Sequence, residues 1–349
     1  MTKNHLGGVT VSGIASAVPF TQKYTDEYID YYGEKEIKKF KESTGILSRN
    51  ISITKQTASD LCYVAARKLL DEKGYDRVDA LVFITQTPDY RLPSTAFVLQ
   101  KRLNLNKDCI CFDINLGCSA FVTGLFTVAG MISGGVVERA LLLIGDAFQE
   151  HTISDDHSQT MMFGDAGVAV LVEKGEGSID GMIYSDGDGY KYIISPYGGF
   201  RKPVLHNGNP VDCIEEVMDG NDVFLFTITK VPKQIKQFLT ITGKTLDSYD
   251  YLVLHQANKM VIDKIAKKLG AEQKRVLISL DEFGNTNGAS IPITICKNFG
   301  EEASGRTIKL LTSGFGVGMQ HGVVSFDISL DNVFPIIYSD DYYEEGFDI

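Results

Sequence analysis

Short, nearly continuous apolar runs punctuate the chain: Ala80–Thr85 (ALVFIT), Ala140–Ile144 (ALLLI), Val168–Val172 (VAVLV), Tyr251–Leu254 (YLVL), Thr307–Leu311 (TIKLL) and Val323–Asp327 (VVSFD). Each is too short for a buried helix and reads as a strand covered on both faces. Gly8–Ala17 reads as an earlier strand. Between the runs the apolar residues recur at helical spacing. Phe121, Leu125, Val128 and Ile132 step by four, three and four residues and predict a buried helix over Ser119–Ser133. Lys259–Leu269 carries Ile262, Ile265, Ala266 and Leu269 on one face and Lys264, Lys267 and Lys268 on the other, with Gly270 placed to end the helix. Strands alternating with helices predict a layered α/β fold.

The pattern also repeats. Asp79-Ala80-Leu81-Val82 resembles Asp250-Tyr251-Leu252-Val253, 171 residues on. Phe112-Asp113 lines up with Leu280-Asp281, and Ala140-Leu141-Leu142 with Ile308-Lys309-Leu310, both at a step of 168. Steps near half of the 349 residues predict two pseudo-equivalent halves, 1–175 and 176–330, meeting near Glu173–Gly177. Two stretches fall outside the repeat. Asp180–Cys213, rich in Gly, Tyr and Asp, reads as an irregular insertion. The segment 331–349, ending in SDDYYEEGFDI, reads as a solvated acidic tail.

Composition narrows the function classes. With 44% hydrophobic and 23% charged residues the chain can bury a large core. No apolar run approaches the roughly 18 residues of a membrane helix, and the first residues lack a signal layout, so a cytoplasmic location is expected. A net charge of -11 argues against nucleic acid as partner but leaves room for an acidic protein docking on a local basic patch. The six cysteines form no paired C-x-x-C array, which argues against a disulfide scaffold and a zinc site. Cys109 and Cys111, in an apolar strand-like run, are expected to be core thiols. His5, His151, His157, His206 and His321 show no metal-ligand spacing, and no metal or redox cofactor is implied.

Cys118 stands apart. In Cys111–Leu125 (CFDINLGCSAFVTGL) a strand-like run ends and the predicted helix begins, which sets Cys118 at the helix N-terminus. Free N–H groups and the positive dipole end favour a thiolate there, the form that attacks thioesters. A small buried cysteine at a tight helix–sheet contact would show the same local pattern. His255 directly follows the strand Tyr251–Leu254, at the strand end where α/β folds place ligand sites. Asn285 lies in Gly-Asn-Thr-Asn-Gly, which is also good turn chemistry.

These segments occur in one order: Ser43-Thr44-Gly45-Ile46, Pro88–Thr95 (PDYRLPST), Gly117-Cys118-Ser119-Ala120-Phe121, Phe163-Gly164-Asp165-Ala166-Gly167, His255-Gln256-Ala257-Asn258, Gly284–Pro292 (GNTNGASIP) and Gly314-Phe315-Gly316-Val317-Gly318. Together they resemble the ketoacyl-ACP synthase III family of condensing enzymes, within the thiolase superfamily, over about Val9 to Leu330. The resemblance implies an αβαβα thiolase-like fold of two related halves, assembled as a homodimer. It implies a decarboxylative Claisen condensation, in which Cys118 takes an acyl group from acyl-CoA or acyl-ACP and malonyl-ACP then supplies the carbanion. His255 and Asn285 are expected to stabilise the enolate, and the backbone of Cys118 and Gly318 to form the oxyanion hole. Leu92, in the loop that lines a partner's acyl pocket, replaces a larger residue and implies room for a longer or branched starter. Lys259, Lys264, Lys267 and Lys268 are the expected dock for the acyl carrier protein. The chain also departs from the family. It has no tryptophan, and the usual CoA-gripping positions fall on Lys39, Ser43 and Met260. Two other readings stand beside condensation: acyl transfer by Cys118 and His255 alone, and a non-catalytic thiolase-fold partner subunit.

Overall fold

The computed structural model describes residues 5–148, 157–202, 205–206, 209–210 and 217–344. The larger elements are β1 (His5–Val18), α1 (Glu34–Thr44), α2 (Ala58–Lys73), β2 (Ala80–Ile84), α3 (Thr95–Arg102), β3 (Ile110–Ile114), α4 (Ala120–Ser133), β4 (Arg139–Asp146) and β5 (Ala166–Ser185). They continue with α5 (Gly220–Thr242), β6 (Tyr251–Leu254), α6 (Lys259–Leu269), α7 (Ser290–Phe299), β7 (Thr307–Gly316), β8 (Gln320–Ser329) and β9 (Ile337–Tyr338). The long strands run β6-β7-β8-β5-β4-β2-β3, with β1 against β5 and β9.

The apolar runs are strands because each face has a helix layer to bury against. In β2, Ala80, Val82 and Ile84 join the central core with α4 and α7, while Leu81 and Phe83 face α2 and α3. In the other half Val253, Ile308 and Leu310 join the same central core, while Leu252, Leu254 and Leu311 face α5 and α6. Helix, sheet, helix, sheet, helix is the αβαβα order expected of a thiolase-like fold.

The repeat is visible in the pairing. β2 and β4 run parallel with Ala80 opposite Ala140, and β6 and β7 run parallel with Tyr251 opposite Leu310. The aspartate ahead of each first strand does the same work twice. Asp79 N–H donates to the Arg139 carbonyl (2.9 Å) and its carboxylate accepts from Arg139 N–H (2.9 Å). Asp250 does so with Lys309, at 2.9 and 2.7 Å. Phe112-Asp113 and Leu280-Asp281, by contrast, are not equivalent. The first pair lies in β3 and the second in a short helix, Leu280–Phe283; the place beside β6 is held by a single bridge between Leu252 and Val276.

The expected meeting point of the two halves is Glu173–Gly177. It lies inside β5, whose first part pairs with β4 and whose last part, Asp180–Ser185, pairs with β8. The insertion accordingly starts later than read, and its Ile193–Ile194 pairs with Val217–Met218, which lies past the end read at Cys213. Cys213 and His151 lie outside the described residues.

The tail also differs from expectation. β9 pairs parallel with β1, Ala17 opposite Ile337. Gln56 Nε2 donates to the carbonyls of Ser339 (2.8 Å) and Asp341 (3.0 Å), and Tyr343 N–H donates to Asp60 (2.9 Å). The Arg102 guanidinium, in a buried ion pair with Asp60 at 2.8 Å, lies between the Tyr63 and Tyr343 rings. Backbone pairing and ring stacking hold the segment to the body while Asp341 and Glu344 stay exposed to solvent. Among the described residues no helix is long and apolar enough to cross a membrane.

Candidate active site

Cys118 sits in the turn from β3 to α4. Ala120 N–H closes the turn on the Gly117 carbonyl (2.8 Å), and Phe121, Leu125, Val128 and Ile132 form the buried stripe that fixes the helix against the core. Two glycines shape the space around the thiol. A Cβ on Gly117 would lie 2.2 Å from Gln86 Oε1, and one on Gly316 would lie 2.6 Å from Cys118 Cβ and 3.0 Å from its sulfur. Only a bare backbone fits at either point.

His255 leaves the end of β6, held by its N–H to the Ser313 carbonyl (2.8 Å) and by the Phe315 ring, edge-on at 5.5 Å. Its Nδ1 lies 2.8 Å from the Ser290 hydroxyl, which also accepts from Gln256 N–H at 3.4 Å. Assigning the Ser290 hydroxyl as donor to Nδ1 puts the ring proton on Nε2. Burial pushes the imidazole down to about 3, against a backbone hydrogen bond at Asn287 that acts in the opposite direction. The ring is therefore neutral at working pH. The rest of the motif is structural: Gln256 ties Leu254 to Ser279, and the Asn258 side chain accepts from Val261 N–H to cap α6.

Asn285 is clamped by the Phe163-Gly164-Asp165 run. Its N–H donates to the Met162 carbonyl (2.9 Å) and its carbonyl accepts from Gly164 (3.1 Å). Asp165 anchors that run by accepting from Ser52 N–H and Phe148 N–H, both at 2.8 Å. The Asn285 side-chain oxygen accepts from Asn287 N–H (3.0 Å), so its amide N–H₂ is the end left for a ligand.

Cys118, His255 and Asn285 line one cavity of about 510 Å³. Its walls are largely apolar, with Phe148, Phe163, Met162, Phe224, Met260 and Phe315. Ile193 and Met218 bring the insertion into the wall. The other expected residues distribute unevenly. Gly316 and Val317 line the cavity, whereas Gly318 stands beyond that lining, turned toward Gln320. Leu92 is 87% exposed, away from this cavity. All four lysines of α6 are exposed, and of these Lys264 lines the cavity, its Nζ 4.4 Å from the Phe224 ring centre. Lys259 is ion-paired with Asp263, and Lys268 donates to the Ile228 carbonyl (2.8 Å). Lys39 pairs with Glu36 on the surface of α1.

Three further polar residues, Asn287, Gln86 and Asp146, reach the site unannounced by sequence reasoning. A signal existed for two of them: Asp146 closes the apolar strand Ala140–Gly145, and Asn287 sits two residues past Asn285. Cys111 is half-buried on the outer strand β3 rather than in the core, while Cys109 is buried. His321, buried and 2.6 Å from Gln234, is a satisfied core histidine. Among the described residues no group of His, Cys, Asp or Glu could hold a metal ion.

The chain is similar to known proteins. Residues 112–187 match the profile of 3-Oxoacyl-[acyl-carrier-protein (ACP)] synthase III, and residues 239–328 match that of its C-terminal part. The Beta-ketoacyl-[acyl-carrier-protein] synthase III of Nostoc sp. is 32% identical over 325 residues, spanning 91% of this chain and 98% of its own. The chain belongs to the 3-oxoacyl-ACP synthase III family. A chloroplastic relative from Cuphea wrightii, Beta-ketoacyl-[acyl-carrier-protein] synthase III B, is also 32% identical, covering 90% of this chain and 82% of its own. The solved 3-oxoacyl-(acyl-carrier protein) synthase of Burkholderia xenovorans LB400 superposes with a TM-score of 0.89 at 34% identity, covering 96% of this chain and 98% of its own. As a member of the synthase III family the protein is an acyltransferase-type condensing enzyme. The N-terminal match contains Cys118, and the C-terminal match contains His255 and Asn285.

Proposed function

We propose that this synthase III carries an acyl group on Cys118 and condenses it with malonyl-ACP, opening a fatty acid or a specialised acyl chain. What supports the reading is that His255, a neutral imidazole, and Asn285, an amide whose oxygen is already bonded, line one cavity with Cys118. In the loading step the Cys118 sulfur attacks the donor thioester and the donor's thiol leaves. Malonyl-ACP then loses carbon dioxide, and the electron pair moves onto the thioester carbonyl. Two neutral donors stabilise that enolate without a charged base, and neither needs to move as charge develops. The enolate carbon attacks the acyl-cysteine carbonyl, the Cys118 sulfur leaves, and a β-ketoacyl thioester remains. Cys118 N–H, with a backbone N–H from the Gly316–Val317 segment that lines the cavity in place of Gly318, receives the tetrahedral oxyanion in this scheme. The protein's own groups carry the chemistry in this scheme, with no metal or redox cofactor.

The acyl carrier protein docks on α6. Lys264, exposed and lining the cavity, meets the phosphate end of the carried arm, and Lys267 and Lys268 meet the acidic carrier surface. A cation there compensates for the uncharged Met260 at a CoA-gripping position, and the starter arrives on acyl-CoA or acyl-ACP. The working form is a cytoplasmic homodimer built on β3, which ends the sheet path with Ile110 exposed and Phe97 and Leu92 exposed nearby in sequence. A second copy then brings its Pro88–Thr95 loop to the acyl end of the cavity, and Leu92 there leaves room for a longer or branched starter.

The test is the mass of malonyl-ACP after incubation with the protein and a mixture of acyl-CoA and acyl-ACP donors. A β-ketoacyl-ACP that vanishes with Cys118→Ala supports condensation and identifies the starter. Acylated Cys118 with untouched malonyl-ACP would make the protein a transferase. An output indifferent to Cys118→Ala would make it a non-catalytic subunit.

A further inference from the structure

Beside the three assigned groups the site holds a second polar array, built on Asn287. The side-chain N–H₂ of Asn287 donates to Asp146 (2.9 Å) and to Gln86 Oε1 (3.1 Å). Both amide protons are thereby used, so the carbonyl oxygen is the end that faces Cys118, whose thiol donates to it at 3.1 Å. Asp146 cannot turn to release the amide. Its other oxygen accepts from Gln86 N–H (2.7 Å) and from the Thr85 hydroxyl (3.1 Å). The backbone of Asn287 is held as well: its φ of 47° lies in the left-handed region that asparagine tolerates, and its N–H is bonded to Asn285.

A fixed carbonyl oxygen beside a sulfur favours the thiol and repels the thiolate. That opposes the N-terminus of α4, which favours the thiolate. We propose that Asn287, locked by Asp146 and Gln86, holds Cys118 as a directed thiol and sets how readily it ionises. This rests on Cys118 being the nucleophile and deepens its loading step. Asn287 touches the reacting sulfur; Asp146 and Gln86 are positioning residues that act through it. Asp146 suits the part because it is fully buried, and burial pushes its carboxyl up to about 7, so an uncharged amide in its place costs little.

The test is alkylation of Cys118 by iodoacetamide as a function of pH, read by peptide fragmentation on the full-length protein. Glycine accepts the backbone of position 287, so Asn287→Gly removes the amide without strain. It should shift the alkylation midpoint downward and speed the reaction at pH 7 about three- to tenfold, the weight of one hydrogen bond. Asp146→Asn keeps the shape but presents an N–H₂ to another N–H₂. The Asn287 amide then inverts, the Gln86 amide turning with it to donate to its oxygen, an N–H meets the sulfur, and the midpoint again falls. In the double variant Asp146→Asn should add nothing. A midpoint that stays or rises in Asn287→Gly overturns the proposal. So does an Asp146→Asn effect that persists without the Asn287 side chain. If Asn287→Gly failed to fold, Asp146→Asn alone would decide by the direction of its shift. Because the readout is alkylation, it fails or succeeds separately from the condensation assay.

Discussion

Asn285→Asp separates the two halves of the reaction. Both backbone groups of Asn285 are clamped, and its side-chain oxygen already accepts from Asn287 N–H at 3.0 Å. Aspartate preserves that oxygen and the shape of the residue and loses only the N–H₂ that faces the cavity. One missing donor to a developing oxyanion costs about 10²–10³ in rate, or about 2.7–4 kcal/mol. The carboxylate also repels the enolate, which places the expected loss at the upper end. Loading has no enolate, so acylation of Cys118 should change by no more than a few-fold. The assay follows acyl-enzyme by intact mass as it forms, and then as it decays in a single turnover with malonyl-ACP. Equal losses in both steps would refute the assignment, because they would make Asn285 a general support of the site. Unchanged decay would refute it as well.

Three further outcomes follow from particular contacts. Charge reversal of Lys267 and Lys268 together should weaken acyl-carrier-protein binding steeply at low salt and little at high salt, measured by titration calorimetry or fluorescence. Arg102→Ala strands Asp60, whose carboxylate is buried in the ion pair that holds the tail, and should cost about 3–5 kcal/mol in chemical denaturation; Arg67→Ala, in an exposed pair, should cost no more than about 1 kcal/mol. Burial lowers His321 to about 4 from its ordinary 6.5, so between those values the unfolded chain binds a proton that the folded chain refuses. Stability should therefore fall as pH drops from about 6.5 to 4. His321→Gln should flatten the slope there by about one proton, roughly 1.4 kcal/mol per pH unit; an unchanged slope would place the buried histidine's titration elsewhere.

Most of the fold could be read because the decisive strands are buried on both faces and announce themselves as apolar runs, Ala80–Ile84 and Tyr251–Leu254 among them. Elements with one wet face were harder. β5 continues past Val172 with alternating exposure through Ser178, where the repeat steps set the meeting of the halves, and it resumes pairing with β1 at Ser178 after a register shift. The tail is acidic in composition, yet pairing to β1 and Tyr343 over Arg102 hold it to the body. The match of Phe112-Asp113 with Leu280-Asp281 rested on two residues and could not tell a strand from a helical turn. At the site, residues announced by motif, Cys118, His255 and Asn285, meet at one cavity. Gly318 was named from the resemblance alone, and a glycine loop does not reveal that Gly316 is the residue packed against the sulfur. Asn287 and Asp146 escaped notice because their roles arise only where α4, β4 and the Asn285 loop converge.

The most direct test of the central claim is a chase of the isolated acyl-enzyme. The protein is acylated, freed of donor, and mixed with malonyl-ACP while the masses of both proteins are followed. The account predicts that the Cys118 adduct disappears at the rate and in the amount that β-ketoacyl-ACP appears, one for one. An adduct that hydrolyses or persists while malonyl-ACP keeps its mass would contradict it.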